Sequence, residues 1–289
     1  MRIAGIDIGG TSIKAGIFED DQLLHKASAK TPFANPDGVV SAIARMIDGW
    51  DVQSIGVGTA GSVEFLHDTV CASNLGWTNV KLKSLLEQHL GIPVFVDNDA
   101  QAALLAEWKN GACKGAQCAL YLTLGTGIGG AMLINGKPFR GRNNLGAEFG
   151  HTIVRMNGPK CGCGRRGCFE YYASATGLRR LADGRPVRDI IDAAIAGDPC
   201  MSRVFNQYVR DLCIGLNNLI MIFDPEIIVL GGGVSGAGSF LADKCQKELR
   251  RIFSRTTDPL LCEIRIATQK NDAGIIGAAM LAPEIKQNR

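Results

Sequence analysis

One histidine and three cysteines lie close together in the segment HTIVRMNGPKCGCGRRGC. They are His151, Cys161, Cys163 and Cys168, and the glycines and the proline between them allow a tight loop. Four soft-to-borderline ligands of this kind suit tetrahedral Zn²⁺, and a full set of four leaves no coordination position for a reactive water. The spacing therefore predicts a structural zinc site.

Three other interpretations of this cluster are weighed against zinc. An iron–sulfur cluster would more naturally use four thiolates, and a disulfide would leave one of the three cysteines over. A zinc ribbon that binds nucleic acid would be helped by Arg165 and Arg166, but such ribbons usually pair two CxxC knuckles and this sequence has none. If one ring nitrogen of His151 binds zinc, the other is oriented toward a neighbouring cleft, where it could meet a substrate.

Two glycine-rich turns could hold phosphate groups. The turn IGGT offers Gly9, Gly10 and Thr11 with Lys14 nearby, and GTGIGG offers Gly125, Thr126 and Gly127. Glycines let the backbone approach a phosphate closely and aim N–H groups at it. One such turn alone would more often be an ordinary hairpin turn, whereas two of them favour a polyphosphate held from two domains.

Asp7 directly precedes the first of these turns. A carboxylate there would repel a phosphate unless a cation lay between them, so Asp7 is predicted to anchor hydrated Mg²⁺. The alternative is an acid that faces water at a strand end.

Two segments have the G-x-G-x-x-G spacing of dinucleotide-binding loops. The first begins at Gly125, and a strand follows it where the dinucleotide fingerprint requires a helix. The second begins at Gly231 after the strand EIIVL and does open a helix, but the next strand, CEIRIA, is followed by Thr268 and Gln269, with no acid for the ribose hydroxyls. NAD binding is therefore the less favoured alternative. We expect the loop to approach an adenosine closely through Gly231, Gly232 and Gly233.

Several acids could take part in chemistry on a polyol. Asp99 follows the apolar strand IPVFV, at the strand end where open α/β sheets place ligands, although it could instead cap a helix. Phosphoryl transfer to a hydroxyl needs a carboxylate that accepts the alcohol proton, and Asp99 suits that role. Asn98, Glu148 and Glu170 could hydrogen-bond sugar hydroxyls, although either glutamate could also be a surface acid.

The elements that position these residues alternate in the manner of an α/β protein. A strand, glycine turn and strand open the chain at RIAGID and SIKAGIFED, and the same pattern returns at CALYLTL and AMLINGKPF, which suggests an internal duplication. We place the domain boundary near Gly115. Residues 1–115 with a C-terminal helix at 272–289 form the predicted smaller domain, and residues 116–271 with the zinc loop form the larger one.

Length and composition limit the possible classes of protein. The 289 residues, 46% hydrophobic, can bury a large core, and a net charge of +3 gives no strong field for nucleic acid or an anionic membrane. No signal peptide or bilayer-spanning apolar run is found. Seven of the ten cysteines are scattered in apolar surroundings, which favours a reducing cytoplasm.

The motifs DIGGTSIK, VDNDA, GAEFGH, CGCGRRGCFE and LGGGVS, in that order, resemble the ROK family of bacterial sugar kinases and repressors over essentially the whole chain. The resemblance implies an actin-like, hexokinase-type (ribonuclease H-like) two-domain α/β fold with ATP and sugar in the interdomain cleft. It implies Asp99 as catalytic base, and MgATP and structural Zn²⁺ as the bound groups. The implied sugar contacts are Gly61, Asn98, Asp99, Glu148, His151 and Glu170.

The same resemblance implies that the two glycine turns and Asp7 face the phosphates, that Gly231 to Gly233 face the nucleoside, and that the protein is a homodimer. Ala60 and Gln101 depart from the commonest residues of the family, which bears on sugar choice. Repressors of the family carry an N-terminal helix-turn-helix, whereas here the phosphate turn begins within the first ten residues, so DNA binding is not expected.

We therefore predict an ATP-dependent hexokinase with glucose as the default substrate and its 6-hydroxyl as acceptor. N-acetylmannosamine, mannose, allose and fructose are open alternatives, because selectivity depends on loop positions. A sugar-binding sensor without catalysis and a zinc-dependent nucleic-acid binder are alternatives of a different class.

Overall fold

The computed structural model describes residues 1–253, 262–269 and 272–282. Its strands are β1 (Arg2–Ile8), β2 (Ser12–Glu19), β3 (Gln22–Lys30), β4 (Ser54–Thr59), β5 (Ser62–Glu64), β6 (Thr69–Ala72), β7 (Trp77–Val80), β8 (Val94–Asn98), β9 (Ala119–Leu124), β10 (Ile128–Ile134), β11 (Lys137–Pro138), β12 (Ile227–Gly231) and β13 (Glu263–Ile266). Its helices are α1 (Pro36–Ile47), α2 (Leu82–Leu90), α3 (Asp99–Asn110), α4 (Phe169–Ala173), α5 (Ala175–Leu181), α6 (Val187–Ile195), α7 (Pro199–Phe223), α8 (Ser239–Phe253) and α9 (Ala273–Leu281).

The chain divides into two compact units. Unit 1 comprises Met1–Asn110, Arg140–Gly146 and the residues from Gln269 onward, and unit 2 comprises Gly111–Phe139 and Ala147–Thr268. Residues 140–146 thus belong to unit 1, although they lie within residues 116–271, which the sequence assigns to the larger domain. The last residues of the predicted C-terminal helix, 283–289, lie outside the described residues.

Unit 1 is built on a five-stranded sheet with the order β3-β2-β1-β4-β8. The pairs β3/β2 and β2/β1 are antiparallel, whereas β1/β4 and β4/β8 are parallel, so β1, β4 and β8 end at the same edge of the sheet. Ile6, Ile8 and Val57 are fully buried in the core of this unit. The sheet therefore brings the end of β1, which leads to Gly9, to the same edge as the end of β8, which leads to Asp99.

Helix α9 packs tightly on this sheet and on α3 because glycines face it. A Cβ atom at Gly5 would collide with the carbonyl oxygen of Ile275, and one at Gly56 with that of Ala278. A Cβ atom at Gly277 would likewise collide with the carbonyl oxygen of Ala102 in α3. Only glycine fits at these three positions, because the backbones approach too closely for a Cβ atom. This close packing makes the C-terminal helix part of the N-terminal unit.

Unit 2 repeats the topology of unit 1. Its sheet has the order β11-β10-β9-β12-β13, with β9/β10 antiparallel and β9/β12 and β12/β13 parallel. Phe169, Phe205 and Tyr208 are among its largest fully buried side chains. The repeated strand, turn and strand that the sequence suggests is therefore present as two corresponding hairpins, β1–β2 and β9–β10.

Two features of unit 1 do not follow from the sequence patterns. Strands β5, β6 and β7 form a small antiparallel sheet that lies between β4 and α2 in the chain. The segment Arg140–Gly146 belongs to this unit although it follows β11 of the other. Among the helices of the described residues, none combines the length and the hydropathy that a membrane-spanning segment requires.

Candidate active site

Asp99 is the first residue of α3, directly after the end of β8. The N–H of Ala100 donates to Asn98 Oδ1 at 2.8 Å and to Asp99 Oδ1 at 2.8 Å, so both side chains turn toward the start of the helix. Asn98 Nδ2 donates to the carbonyl oxygen of Gly61 at 2.8 Å. Gly61 has a φ of 91°, and a Cβ atom there would collide with the backbone of Cys71 and Ala72, so only glycine fits.

The carboxyl of Asp99 is poised to exchange a proton near neutral pH. Its pKa is raised from 3.8 to about 6, chiefly by burial and also by the negative charge of Asp7, while hydrogen bonds such as the one from the N–H of Ala100 oppose the rise. Burial also raises the pKa of Asp7, while the positive charge of Lys14 opposes that shift. A carboxyl in this range is ionised at pH 7 and can still take up a proton, as a general base must.

Asp7 lies near the end of β1 opposite Lys14, its register partner in β2. Its carboxylate fits against the first turn of α9, because a Cβ atom at Gly274 would stand only 2.6 Å from Asp7 Cγ. A larger residue at position 274 would therefore push the carboxylate away. This role of Gly274 does not follow from any local pattern, since the contact joins positions that lie 267 residues apart in the chain.

The first glycine turn is held by a neighbouring strand end. Gly9 N donates to the carbonyl of Ser12 at 3.0 Å, and Thr31 Oγ1 donates to the carbonyl of Gly9 at 2.7 Å. Gly10 lies beside Asn74, whose side chain would be 3.6 Å from a Cβ atom at that glycine, while Thr11 is exposed. The turn is thus fixed at its base and open at its tip.

The second glycine turn is held by side chains from α4 and α5. Glu170 Oε2 accepts from Ile128 N at 2.9 Å, and Thr176 Oγ1 donates to the carbonyl of Thr126 at 2.7 Å. A Cβ atom at Gly127 would collide with Glu170 Oε2. Glu170, expected as a sugar contact, therefore also holds the backbone of this turn.

The four predicted metal ligands come together in unit 2. The nitrogen of His151 and the sulfurs of Cys161, Cys163 and Cys168 all lie within 4.8 Å of one another. The Sγ atoms of Cys163 and Cys168 are 3.6 Å apart, and Cys161 Sγ is 4.0 Å from His151 Nδ1. A tetrahedral ion with Zn–S bonds of about 2.3 Å separates its sulfur ligands by about 3.8 Å, so the donor set and its spacing fit zinc.

The remaining predicted contacts lie in two parts of unit 2. Glu148 is exposed and begins a single helical turn, in which the N–H of His151 donates to its carbonyl at 3.1 Å. Gly232 has a φ of 81°, and a Cβ atom there would collide with the backbone of Leu124, while one at Gly233 would meet nothing within 4 Å. The Gly231 to Gly233 loop therefore lies against the strand end that leads into Gly125.

Within each unit, most predicted residues lie beside one another. In unit 1, Asp7, Gly61, Asn98 and Asp99 meet at one edge of the sheet, and in unit 2 Glu170 joins the second glycine turn to Cys161, whose Sγ is 3.7 Å from Glu170 Oε1. Arg140 and Asn144 were not among the predicted site residues, and both donate hydrogen bonds to the carboxylate of Asp97. The sequence signal that could have indicated a hydrogen-bond network here is DND, three consecutive polar residues at the end of a buried strand.

Comparison with known proteins gives one consistent result. The model of the ROK family matches residues 3–285. A glucokinase of Streptomyces coelicolor is 35% identical over 97% of this chain and 97% of its own, and a glucokinase of Thermotoga maritima is 35% identical over 98% of both. The crystal structure of a ROK family glucokinase from Streptomyces griseus in complex with glucose and AMPPNP superimposes with a TM-score of 0.84 at 36% identity, covering 98% of this chain and 99% of that one.

Proposed function

The chain belongs to the ROK family and is an ATP-dependent sugar kinase with the actin-like fold, and we propose that its acceptor is the 6-hydroxyl of glucose and its general base is Asp99. The observation that carries this assignment is the Asp99 carboxyl at the start of α3, with its pKa raised to about 6 beside Asn98 and Asp7. The two glucokinases and the glucose complex reported above support glucose as the sugar.

In the proposed reaction, Asp99 accepts the proton of the sugar hydroxyl as its oxygen bonds to the γ-phosphorus of ATP. The bond from that phosphorus to the oxygen that bridges to the β-phosphate breaks, and ADP leaves with the electron pair. With a pKa of about 6, Asp99 is mostly ionised at pH 7 and ready to act. The phosphorylated sugar and ADP are the products.

The two glycine turns are assigned to the phosphates of MgATP. Backbone N–H groups of Gly9, Gly10 and Thr11 in unit 1, and of Gly125, Thr126 and Gly127 in unit 2, are the donors. Asp7 is assigned to the hydrated Mg²⁺, and Lys14 offsets part of the negative charge in that region. Gly231 to Gly233 are assigned to the nucleoside, with Gly233 open to a ligand.

The sugar contacts are assigned residue by residue. In unit 1, Asn98 and Gly61 are joined by a hydrogen bond and flank Asp99 in the chain and in space. In unit 2, Glu148, His151 and Glu170 are assigned to sugar hydroxyls, Glu148 because its exposed side chain is accessible and His151 because a metal on one nitrogen leaves the other to face a ligand. Which hydroxyl each one binds decides between glucose and the other hexoses.

We also propose that His151, Cys161, Cys163 and Cys168 hold a structural zinc. A bound zinc with four protein ligands has no free position for substrate, so what it supplies is cross-linking of a loop with little other regular structure. The loop carries His151 at its start and runs into α4, which carries Glu170. Fixing it therefore fixes two of the proposed sugar contacts.

Cytoplasmic location and a homodimer complete the proposal. The cysteine usage supports a reducing compartment, since seven of the ten cysteines lie outside the metal cluster and are scattered along the chain. The homodimer rests on the resemblance to the family. Neither nucleic acid nor a membrane is a proposed partner, in keeping with the balanced charge.

The decisive test is a coupled assay of ADP release with MgATP across hexoses and N-acetylhexosamines, with Asp99→Asn alongside. We expect glucose to give the highest kcat/KM, and the variant to lose about 10²-fold or more in kcat while its sugar affinity by calorimetry changes little. Higher kcat/KM on mannose or an N-acetylhexosamine would replace glucose. Sugar binding without turnover would point to a sensor, and turnover that survives in the variant would reject Asp99 as the base.

A further inference from the structure

The segment Arg140–Gly146 forms a closed loop on unit 1. Gly146 N donates to the carbonyl of Arg140 at 3.0 Å, which closes the loop at its base. Gly141 and Asn144 adopt left-handed backbone angles, with φ of 69° and 59°. The residues before and after the segment belong to unit 2, so this loop is attached to unit 1 by its own side chains. We call it the clasp loop.

The carboxylate of Asp97 holds the clasp loop. Arg140 Nε donates to Asp97 Oδ2 at 2.7 Å, and Asn144 Nδ2 donates to Asp97 Oδ1 at 3.2 Å and to the carbonyl of Val63 at 2.9 Å. The side chain of Asp97 is only 3% exposed, and that of Arg140 is 28% exposed. A buried carboxylate of this kind is stable only while its cationic partner stays in place.

The same carboxylate also holds the strand end that carries the proposed acceptor site. Asn98 N donates to Asp97 Oδ1 at 2.8 Å, while the side chain of Asn98 is held separately by Gly61 and Ala100. The clasp loop, Asp97 and the Asn98 peptide therefore form one network. Asp97 itself is given no part in the proposed proton transfer, because both of its carboxylate oxygens already accept hydrogen bonds from this network.

We propose that Asp97, through Arg140 and Asn144, is a positioning residue for the acceptor sugar. This inference rests on the proposed function. Asp97 sets the backbone orientation of Asn98 and anchors the loop that leads, two residues after Gly146, into Glu148. It therefore governs sugar affinity more than ATP affinity.

A cavity beside the network makes this role separable from folding. The cavity measures about 470 Å³ and is lined by the apolar side chains of Val63, Phe65 and Phe95 as well as by Asp97 and Arg140. The guanidinium of Arg140 lies 5.9 Å from the centre of the Phe65 ring. If the ion pair is lost, Arg140 has space to move away without displacing the core, so the strand end loosens while the unit stays folded.

The test is Asp97→Asn, which keeps the size of the side chain and an acceptor for Asn98 N but cannot neutralise Arg140. We expect the KM for D-glucose to rise about tenfold, the KM for ATP to stay within about twofold, and kcat to change less than the sugar KM. The double variant Asp97→Asn with Arg140→Gln should recover part of the sugar KM, since no half-buried guanidinium is left without its carboxylate and the two amides can hydrogen-bond each other.

The matched control is Glu87→Gln, because Glu87 lies in α2 and its carboxylate holds the opposite end of β8. Glu87 Oε1 accepts from Val94 N at 3.1 Å, and its Oε2 binds Lys83 at 2.8 Å, so the substitution also removes a charge from a strand-holding carboxylate. It should leave the sugar KM unchanged. Equal changes in both KM values, or the same sugar KM change in the control, would reject positioning by Asp97.

Two further measurements keep the result clear. If Asp97→Asn does not fold, Asn144→Ala removes two donors without stranding a charge, and it should still raise the sugar KM, by a smaller factor; an unchanged value overturns the inference. Calorimetry with D-glucose separates this inference from the proposed function. Wild-type binding without turnover would end the kinase proposal while the dissociation constants of the variants still decide the role of Asp97, and no binding at all would overturn both.

Discussion

The two glycine turns join corresponding strands of the two sheets, but their supports differ. In unit 1, the second residue pair from the turn consists of Asp7 and Lys14, both of which carry a charged side chain. At the corresponding pair in unit 2 stand Thr123 and Gly129, where Thr123 Oγ1 accepts from Gly129 N at 2.9 Å. The carboxylate that holds the second turn is that of Glu170 in α4, and it accepts a hydrogen bond from a backbone N–H at the end of the turn.

This difference shows how one topology can take on two tasks. In unit 1 the acid lies on the strand itself, where it is available to a cation and close enough to Asp99 to raise its pKa. In unit 2 the acid holds the backbone of the turn, and it belongs to a helix that follows the cysteine cluster. The first turn is therefore suited to holding a cation, whereas the second is suited to holding backbone N–H groups in a fixed orientation.

The strongest test of the comparison changes the two corresponding positions, Asp7 and Thr123, one at a time. Asp7→Asn should lower kcat about 10²-fold or more and raise the Mg²⁺ concentration needed for half-maximal activity, because it removes the proposed cation anchor. Thr123→Val removes only a hydroxyl acceptor and should change the KM for ATP by less than about tenfold, with the Mg²⁺ requirement unaltered. Steady-state kinetics over a Mg²⁺ titration would decide, and equal Mg²⁺ effects would show that the two turns are not specialised.

Metal removal should affect the second turn and leave the first intact. In Cys163→Ser, or after chelation, we expect loss of bound zinc and faster amide hydrogen exchange in residues 125–130 and 149–172, since Glu170 loses its support. Peptides that cover residues 5–15 should exchange as in the wild type. Cys71→Ser, at an exposed thiol outside the cluster, is the control. Unchanged exchange at residues 125–130 would separate the metal from the turn.

A single methyl group should distinguish two glycines of the same turn. Gly127→Ala places a Cβ atom against Glu170 Oε2, whereas the nearest atom to a Cβ at Gly125 is 4.0 Å away. We expect Gly127→Ala to raise the KM for ATP about tenfold, because Glu170 must release Ile128 N, and Gly125→Ala to change it much less. Similar KM values in the two variants would mean that the Glu170 contact does not shape the turn.

The smallest expected effect is a shift in pH dependence. Because Asp99 must be ionised to act, kcat/KM should fall as the pH drops through about 6. In Asp7→Asn the neighbouring negative charge is gone but burial remains, so the acid limb should move to lower pH while staying above the ordinary value of 3.8. A pH–rate profile on the residual activity checks this. A limb that does not move would mean that Asp7 does not influence the base.

The local patterns predicted the regular elements well. The hairpin β1–β2 and the strand before Asp99 follow from hydrophobic periodicity and turn residues, and the structure confirms them. The grouping of His151 with the three cysteines is equally local, since all four lie within 18 residues. Short sequence separation is what these successful predictions share.

The residues that sequence patterns did not predict make contacts between distant parts of the chain. Arg140 meets Asp97 across 43 positions, and Gly274 meets Asp7 across 267. No periodicity or motif encodes such a pairing, because it depends on how whole elements pack. The small sheet β5–β7 was missed for another reason, since strands of three or four residues give too short an alternation to detect.

The packing of α9 has a consequence for biosynthesis. The first unit cannot close its core until the last helix has left the ribosome, because Gly5 and Gly56 receive the carbonyls of α9. Residues 111–268 lie almost wholly in the second unit and are made in between. At about 5–20 residues per second, the N-terminal strands wait on the order of ten seconds with an uncovered face. The second unit is thus free to fold before the first, and chaperone dependence should be concentrated on the N-terminal third of the nascent chain.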